Sequence, residues 1–153
     1  RNFRVAERHA SKAYKMVPND PRVLSVYGEV SLRLGKIDQG LDALKLALEI
    51  DPIAQGKTNS DSRTSPVLFG EYLARNKDNC LELVEKLEDI DPKSWLLTAK
   101  LCSDEEHDIT EEDWYKRGKE EFKDKDWATE VDSFRLNNEG AKESLIEFAE
   151  SLS

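Results

Sequence analysis

The sequence predicts an all-α fold built from stacked helical hairpins, and three observations support this prediction. First, Pro18, Pro52 and Pro92 each follow a segment of apolar periodicity, and proline cannot continue a helix. Second, the ending "IDP" at 50–52 recurs at 90–92 after a similar apolar spacing. Third, the 153 residues are 36% charged and 38% hydrophobic, which suits a thin helical stack better than one thick core.

The first segment, 2–18, predicts a single helix that ends at Pro18. Ala6, Ala10 and Ala13 are spaced four and then three residues apart, so their small side chains share one helical stripe. A second helix can approach closely along such a stripe. We therefore interpret 2–18 as half of a hairpin.

The next segment, 19–52, predicts a complete hairpin. Asp20 can cap a helix, and Pro21 suits its first turn. Gly28 lies in the middle of that helix, where it costs roughly 1 kcal/mol relative to alanine. We therefore expect a partner helix to cross at Gly28. Gly35 then breaks the chain before the second helix.

This 34-residue helix–turn–helix resembles the tetratricopeptide repeat (TPR) family. Leu24, Gly28, Ala47 and Pro52 occupy the characteristic positions. The resemblance implies a TPR-like α-solenoid, a right-handed superhelix of helix–turn–helix hairpins in which the first helix of each repeat lines a concave groove. It also implies a single domain over 1–153.

The rest of the chain is divided by the same criteria. The predicted units are a polar insertion at 53–64, a degenerate repeat at 65–92, a single helix at 93–102, an acidic loop at 103–109, a repeat at 110–137 and a capping helix at 138–153. The repeat at 110–137 rests on Trp114 and Gly118 in the Trp and Gly places of the motif. The last segment has an apolar stripe that can cover the final repeat.

The charge of the chain is unevenly distributed. The net charge is −9, and residues 101–153 contain seventeen Asp and Glu against seven Lys and Arg. Phosphate repels such a surface, so we expect no nucleic-acid partner. A basic protein partner is compatible with it, and so is a purely solubilising role.

No motif in the sequence indicates catalysis, a cofactor or a metal. No cysteine or acid is placed to activate His9. His107 lies in the acidic segment "SDEEHDITEED", where carboxylates and imidazole could bind a metal, but the spacing matches neither an EF-hand nor a His-Glu-x-x-His motif. No glycine-rich phosphate loop or paired-cysteine zinc motif occurs. Cys80 and Cys102 lie in apolar surroundings and predict two buried thiols. No run of about 18 apolar residues predicts a membrane span. We expect a non-enzyme of the cytoplasm or the nucleus.

The resemblance to TPR proteins also implies which residues bind a partner. They lie one turn apart on the first helices, away from the packing stripe. The expected protein-binding residues are Arg22, Ser25, Glu29, Leu32, Arg33, Glu71, Arg75, Tyr115, Lys119, Phe122 and Lys123. A subset of the family grips the C-terminal carboxylates of chaperones with a clamp of Lys, Asn and Arg side chains. Ser25, Val26 and Glu29 stand where Lys or Asn would be needed, so we expect no binding of chaperone tails.

Two functional hypotheses follow. The first is a non-enzymatic interaction module, an adaptor, scaffold or client-holding chaperone that binds a peptide or helix of another protein. The client would be basic, for instance a ribosomal protein. The alternative is a regulatory or substrate-recruiting region of a larger enzyme whose catalytic domain lies outside 1–153. The full-length reading frame would decide between them. The oligomeric state stays open.

Overall fold

The computed structural model describes residues 2–152, and all of the regular structure in that range is helical. The all-α prediction is therefore confirmed for these residues. The helices are α1 (Phe3–Met16), α2 (Pro21–Arg33), α3 (Ile37–Ile50), α4 (Asp61–Leu73), α5 (Lys77–Glu85), α6 (Pro92–Asp104), α7 (Asp113–Glu121), α8 (Trp127–Ser133) and α9 (Glu139–Ser151).

Helices α2 and α3 form the most closely packed pair. A Cβ atom added to Gly28 would lie 2.8 Å from the carbonyl oxygen of Gly40 and 2.6 Å from Cγ of Leu44. A Cβ added to Gly40 would lie 2.7 Å from the carbonyl oxygen of Gly28. The two backbones therefore approach through facing glycines. The expected helix crossing at Gly28 is confirmed.

Helix α4 begins earlier than the sequence indicated. It starts at Asp61, inside the segment assigned to a polar insertion, and Pro66 lies within it rather than in its first turn. Two sets of long-range contacts stabilise the first turn of α4. The Asp61 carboxylate accepts hydrogen bonds from the backbone N–H groups of Glu88 and Asp89, and the buried Arg63 donates to Asp51. These long-range contacts are not visible in a local pattern.

The C-terminal helices are arranged around α6. Helices α7, α8 and α9 each pack against α6, and α9 also packs against α8. Among residues 2–152, α7 and α8 are not a closely packed pair, although the sequence indicated a hairpin at 110–137. The reason is an aromatic cluster, because the Trp95 ring of α6 stacks on both Tyr115 and Trp127. The two helices are joined mainly through α6, with an edge-to-face contact between Phe122 at the end of α7 and Trp127 of α8.

Contacts between non-consecutive helices link the two ends of the chain. Helix α2 packs against α4, α4 against α6, and α6 against α8. The turn between α8 and α9, residues 134–138, then returns to the end of α2. There, Arg33 donates hydrogen bonds to the backbone carbonyls of Phe134 and Arg135, and the Asn137 side chain donates to the carbonyl of Arg33.

Both cysteines are free and buried, as the sequence predicted. Burial raises the pKa of Cys80 to about 12 and that of Cys102 to about 11, so neither thiol is poised to react. Within residues 2–152, no helix combines the length and apolarity that a membrane span requires.

Candidate functional site

Two adjoining cavities lie where α2, α4, α6 and the α8–α9 turn meet. The larger has a volume of about 310 Å³ and the smaller about 110 Å³, and both are lined by Arg33 and Phe69. We call them together the α2–α4 groove. Its lining residues are Glu29, Leu32, Arg33, Gly35, Ile37, Ser65, Pro66, Phe69, Tyr72, Leu73, Arg75, Lys93, Arg135, Leu136, Asn137, Asn138 and Ala141.

The floor of the groove is apolar and comes from the ends of two neighbouring helices. Leu32 lies in the last turn of α2, and Phe69 and Tyr72 lie one turn apart on α4. Leu136 closes the far side from the α8–α9 turn. Three segments distant in sequence thus supply one apolar surface, and α6 lies at its edge.

Cationic side chains surround this floor. The Arg33 guanidinium carbon is 4.7 Å from the centre of the Phe69 ring, and Lys93 Nζ is 3.8 Å from the same centre. Lys93 Nζ is also 5.9 Å from the centre of the Phe134 ring. A cation over an aromatic face is attracted by the ring quadrupole, which contributes about 0.5–2 kcal/mol. The ring faces therefore help to hold these charges at the groove.

Neither Arg33 nor Lys93 forms an ion pair among residues 2–152, where every described carboxylate is more than 4.0 Å away. Burial lowers the pKa of Lys93 to about 8, and the positive charge of Arg33 acts in the same direction. Glu29 and Asp91 oppose this shift from a greater distance. Burial also lowers the pKa of Arg33.

Arg75 and Arg135 add positive charge at the rim of the groove, and they differ in how they are held. Arg75 is paired with Asp104 at 3.4 Å and with Glu105 at 3.5 Å. Arg135 has a φ of +55°, a region that L-residues avoid at a cost of roughly 1–2 kcal/mol. The hydrogen bonds that Arg33 donates to the carbonyls of Phe134 and Arg135 hold this turn against α2.

The structure divides the eleven residues expected to bind a partner into three groups. Four of them line the α2–α4 groove, namely Glu29, Leu32, Arg33 and Arg75. Three others, Arg22, Lys119 and Lys123, are exposed outside it. Arg22 is paired with Asp20, and Lys123 with Glu120.

The remaining four lie outside the α2–α4 groove, and three of them have buried side chains. Tyr115 is 7% exposed and Phe122 is 5% exposed, because both pack on Trp95 in the aromatic cluster. Glu71 is 1% exposed. Ser25 is half-buried and is held by Arg63, whose Nη1 lies 2.5 Å from its hydroxyl oxygen. These residues maintain the fold rather than offering a binding surface.

Glu71 illustrates why a residue on the expected face can be structural. Its carboxylate accepts hydrogen bonds from Asn76 at 2.6 Å and Asn79 at 3.1 Å, and it pairs with Lys45 at 2.6 Å. Burial acts to raise the pKa of Glu71, but these partners outweigh burial and lower it. Glu71 therefore joins α3, α4 and α5.

Sequence reasoning missed Phe69, Lys93 and Arg135 as groove residues. Phe69 matched a packing position, and Lys93 follows a helix-starting proline with nothing to mark it as exceptional. A basic residue next to a proline stop is too common to be a signal. Lys93 comes close to Arg33 only because α2 and α6 both pack against α4.

The groove lining combines apolar side chains with cationic and amide groups. Within 2–152, no cluster of three or more His, Cys, Asp or Glu side chains is placed to hold a metal ion. The groove lining contains neither histidine nor cysteine. What its geometry can do is bury an apolar side chain next to two cations.

The chain matches no family model, no curated protein and no solved structure among those with which it was compared.

Proposed function

We propose that this chain is a non-enzymatic protein-binding module, a TPR-like α-solenoid whose α2–α4 groove holds a peptide from another protein. The observation that supports the function best is the groove itself, an apolar floor bordered by cations and assembled from four distant segments. A volume of about 310 Å³ lies at the lower end of the range for ligand pockets, roughly 300–1,000 Å³. That is suited to an anchoring side chain of a peptide rather than to a whole helix.

Two features support the solenoid part of the proposal. The facing glycines of α2 and α3 give the close approach that a repeat hairpin needs. The successive contacts of α2 with α4 and of α4 with α6 resemble the neighbour-to-neighbour contacts of a repeat stack. In such a stack the first helices share one side, and α2 and α4 both line the groove.

The basic partner predicted from the sequence concerns a different surface. The acidic excess belongs to residues 101–153, whereas the groove is bordered by Arg33, Arg75, Lys93 and Arg135. A basic client would bind the acidic helices and not the groove. Such binding would weaken strongly as the salt concentration rises, because exposed charges are screened within about 8–10 Å.

The test is selection from a displayed library of random peptides against the whole chain. The affinity of the selected peptides should fall at least tenfold in Ala141→Phe, because Ala141 lines the groove and a phenyl ring would fill it. The matched control is Ala128→Phe, an exposed alanine on α8 outside the groove. It should leave the affinity unchanged. If no peptide is selected, the proposal fails, and if both variants bind equally, the groove is not the site.

A further inference from the structure

The α2–α4 groove contains two cations that have no anionic partner, and this sets the chemistry of what it binds. The charged groups of Arg33 and Lys93 both lie over the Phe69 ring. The distance between these two groups therefore cannot exceed the sum of their distances to the ring centre, which are 4.7 Å and 3.8 Å. Their like charges repel each other at this range. Removing a charge from water without pairing it is costly, so proteins rarely keep such an arrangement without a use for it.

We propose that the α2–α4 groove binds a peptide that presents an Asp or Glu side chain next to an apolar residue. The carboxylate lies between Arg33 and Lys93, and the apolar side chain enters the larger cavity over Leu32 and Tyr72. This inference rests on the proposed function and specifies its partner.

Charge complementarity is the main argument for an acidic peptide. The cations that face the carboxylate position are Lys93 from α6 and Arg33 from α2, with Arg135 nearby on the α8–α9 turn. The opposing acids are Glu29 of α2 and Asp91 at the start of α6, neither of which pairs with Lys93 or Arg33. Asp91 is already engaged, since it accepts hydrogen bonds from Ser65 and Ser94.

The free energy gained by the carboxylate has two sources. It pairs with an ammonium group that the fold has already desolvated, so the partner meets less of the usual dehydration cost. It also bonds a guanidinium whose position is fixed by the carbonyls of Phe134 and Arg135. Preorganisation of this kind increases affinity because little conformational freedom remains to be lost.

The shape of the groove indicates a side-chain carboxylate rather than a chain terminus. The 110 Å³ and 310 Å³ cavities meet at Arg33 and Phe69, so space extends on both sides of the cations. A peptide can therefore continue in both directions past the acidic residue. A chain end would leave one cavity empty.

The first experiment determines the amino-acid composition of the peptides selected from the displayed library and then measures their affinities for the chain. We expect enrichment of Asp or Glu beside an aliphatic or aromatic residue. Replacing that Asp or Glu by Asn or Gln in the peptide should weaken binding at least tenfold. Amidation of the peptide's C-terminus should leave its affinity unchanged. Selection of neutral or basic peptides that bind the groove would overturn this inference and leave the proposed function standing.

The second experiment uses Lys93 variants with a matched control. Lys93 donates no side-chain hydrogen bond within residues 2–152, so Lys93→Gln should fold normally, which thermal unfolding can verify. We expect it to weaken an acidic peptide about tenfold or more. Lys57→Gln removes the same charge from an exposed loop position and should have no effect. Equal affinities for the two variants would overturn the inference.

The pH dependence adds a readout that a purely structural role would not give. The affinity of the unmodified chain should fall as the pH rises through about 8, because Lys93 then loses its charge. Lys93→Arg should keep the affinity and abolish this decline, since arginine stays protonated. A decline of the same size in Lys93→Arg would contradict the assignment of the site to Lys93.

Discussion

The two ends of the molecule achieve close helix packing by opposite means. In the α2–α3 hairpin, Gly28 faces Gly40 and the backbones come together because the side chains are absent. Around α6, the large ring of Trp95 occupies the place where Gly118 has no side chain. The first arrangement is symmetrical and local, while the second needs residues from three helices. A pattern of small residues can therefore be recognised from the sequence, whereas an aromatic cluster formed by three helices cannot.

The largest expected effect comes from removing the centre of the aromatic cluster. Trp95→Ala should lower the free energy of unfolding by about 3–5 kcal/mol, because it deletes a ring that is 2% exposed and leaves a cavity. Chemical denaturation measures this loss. Hydrogen exchange should show that α7 and α8 lose protection while α2 and α3 keep it. Equal loss of protection in the α2–α3 hairpin would show that the two regions form one cooperative unit.

The next effect compares the glycines of the two regions. Gly28→Ala and Gly118→Ala should each destabilise the protein by about 1–3 kcal/mol, the usual range for overpacking. The added Cβ would lie 2.8 Å from the Gly40 carbonyl in the first case and 2.2 Å from Cδ1 of Trp95 in the second.

Gly140→Ala is the matched control for these two variants. Its nearest neighbour is the Asn138 side chain at 3.3 Å, so alanine should be neutral or stabilise α9 by up to about 1 kcal/mol. Thermal unfolding of all three variants gives the comparison. If Gly28→Ala were as stable as Gly140→Ala, close approach would not explain the glycine in α2.

A pH-dependent effect of similar size is expected at Glu71, which stabilises the α3–α4–α5 region. Because its folded pKa lies below the ordinary value of 4.5, its contribution is present above that value and is lost as the pH falls through the folded pKa. Glu71→Gln should cost about 1–3 kcal/mol at pH 7 and much less in acid. The exposed Glu49→Gln is the control. A difference between wild type and Glu71→Gln that is constant with pH would contradict this account.

The last effect concerns Lys93, which lies between the two regions. Its folded pKa of about 8 is below the ordinary 10.5, so the unfolded chain binds more protons at this group between these values. Relative to Lys93→Gln, the wild type should therefore gain stability as the pH increases from about 8 to 10.5, by up to roughly 3 kcal/mol. The comparison with Lys93→Gln is needed because the buried thiols of Cys80 and Cys102, whose pKa values are raised, lower the stability of both proteins in the same range. Lys93→Gln should be more stable than wild type at pH 7, and this difference should shrink at pH 10. Denaturation midpoints at pH 7 and 10 provide the measurement.

The expected groove residues show where prediction from sequence stopped. Leu32 and Arg33, which were expected to bind a partner, line the α2–α4 groove, because a single helix fixes their direction relative to the Gly28 stripe. Tyr115 and Phe122 were expected on the same kind of face, yet both pack on Trp95. Their direction depends on where α6 lies, and no pattern within α7 contains that information.

The sequence by itself determined that the chain is helical, that Gly28 lies at a helix crossing and that both cysteines are buried. These properties follow from local rules of periodicity, capping and residue size, which act over a few turns of helix. The tertiary structure alone decided that α6 is the centre of the C-terminal half and that Lys93 reaches Arg33 over the Phe69 ring. Such contacts join residues about 20 to 60 positions apart, and only the packing free energy of whole helices selects them.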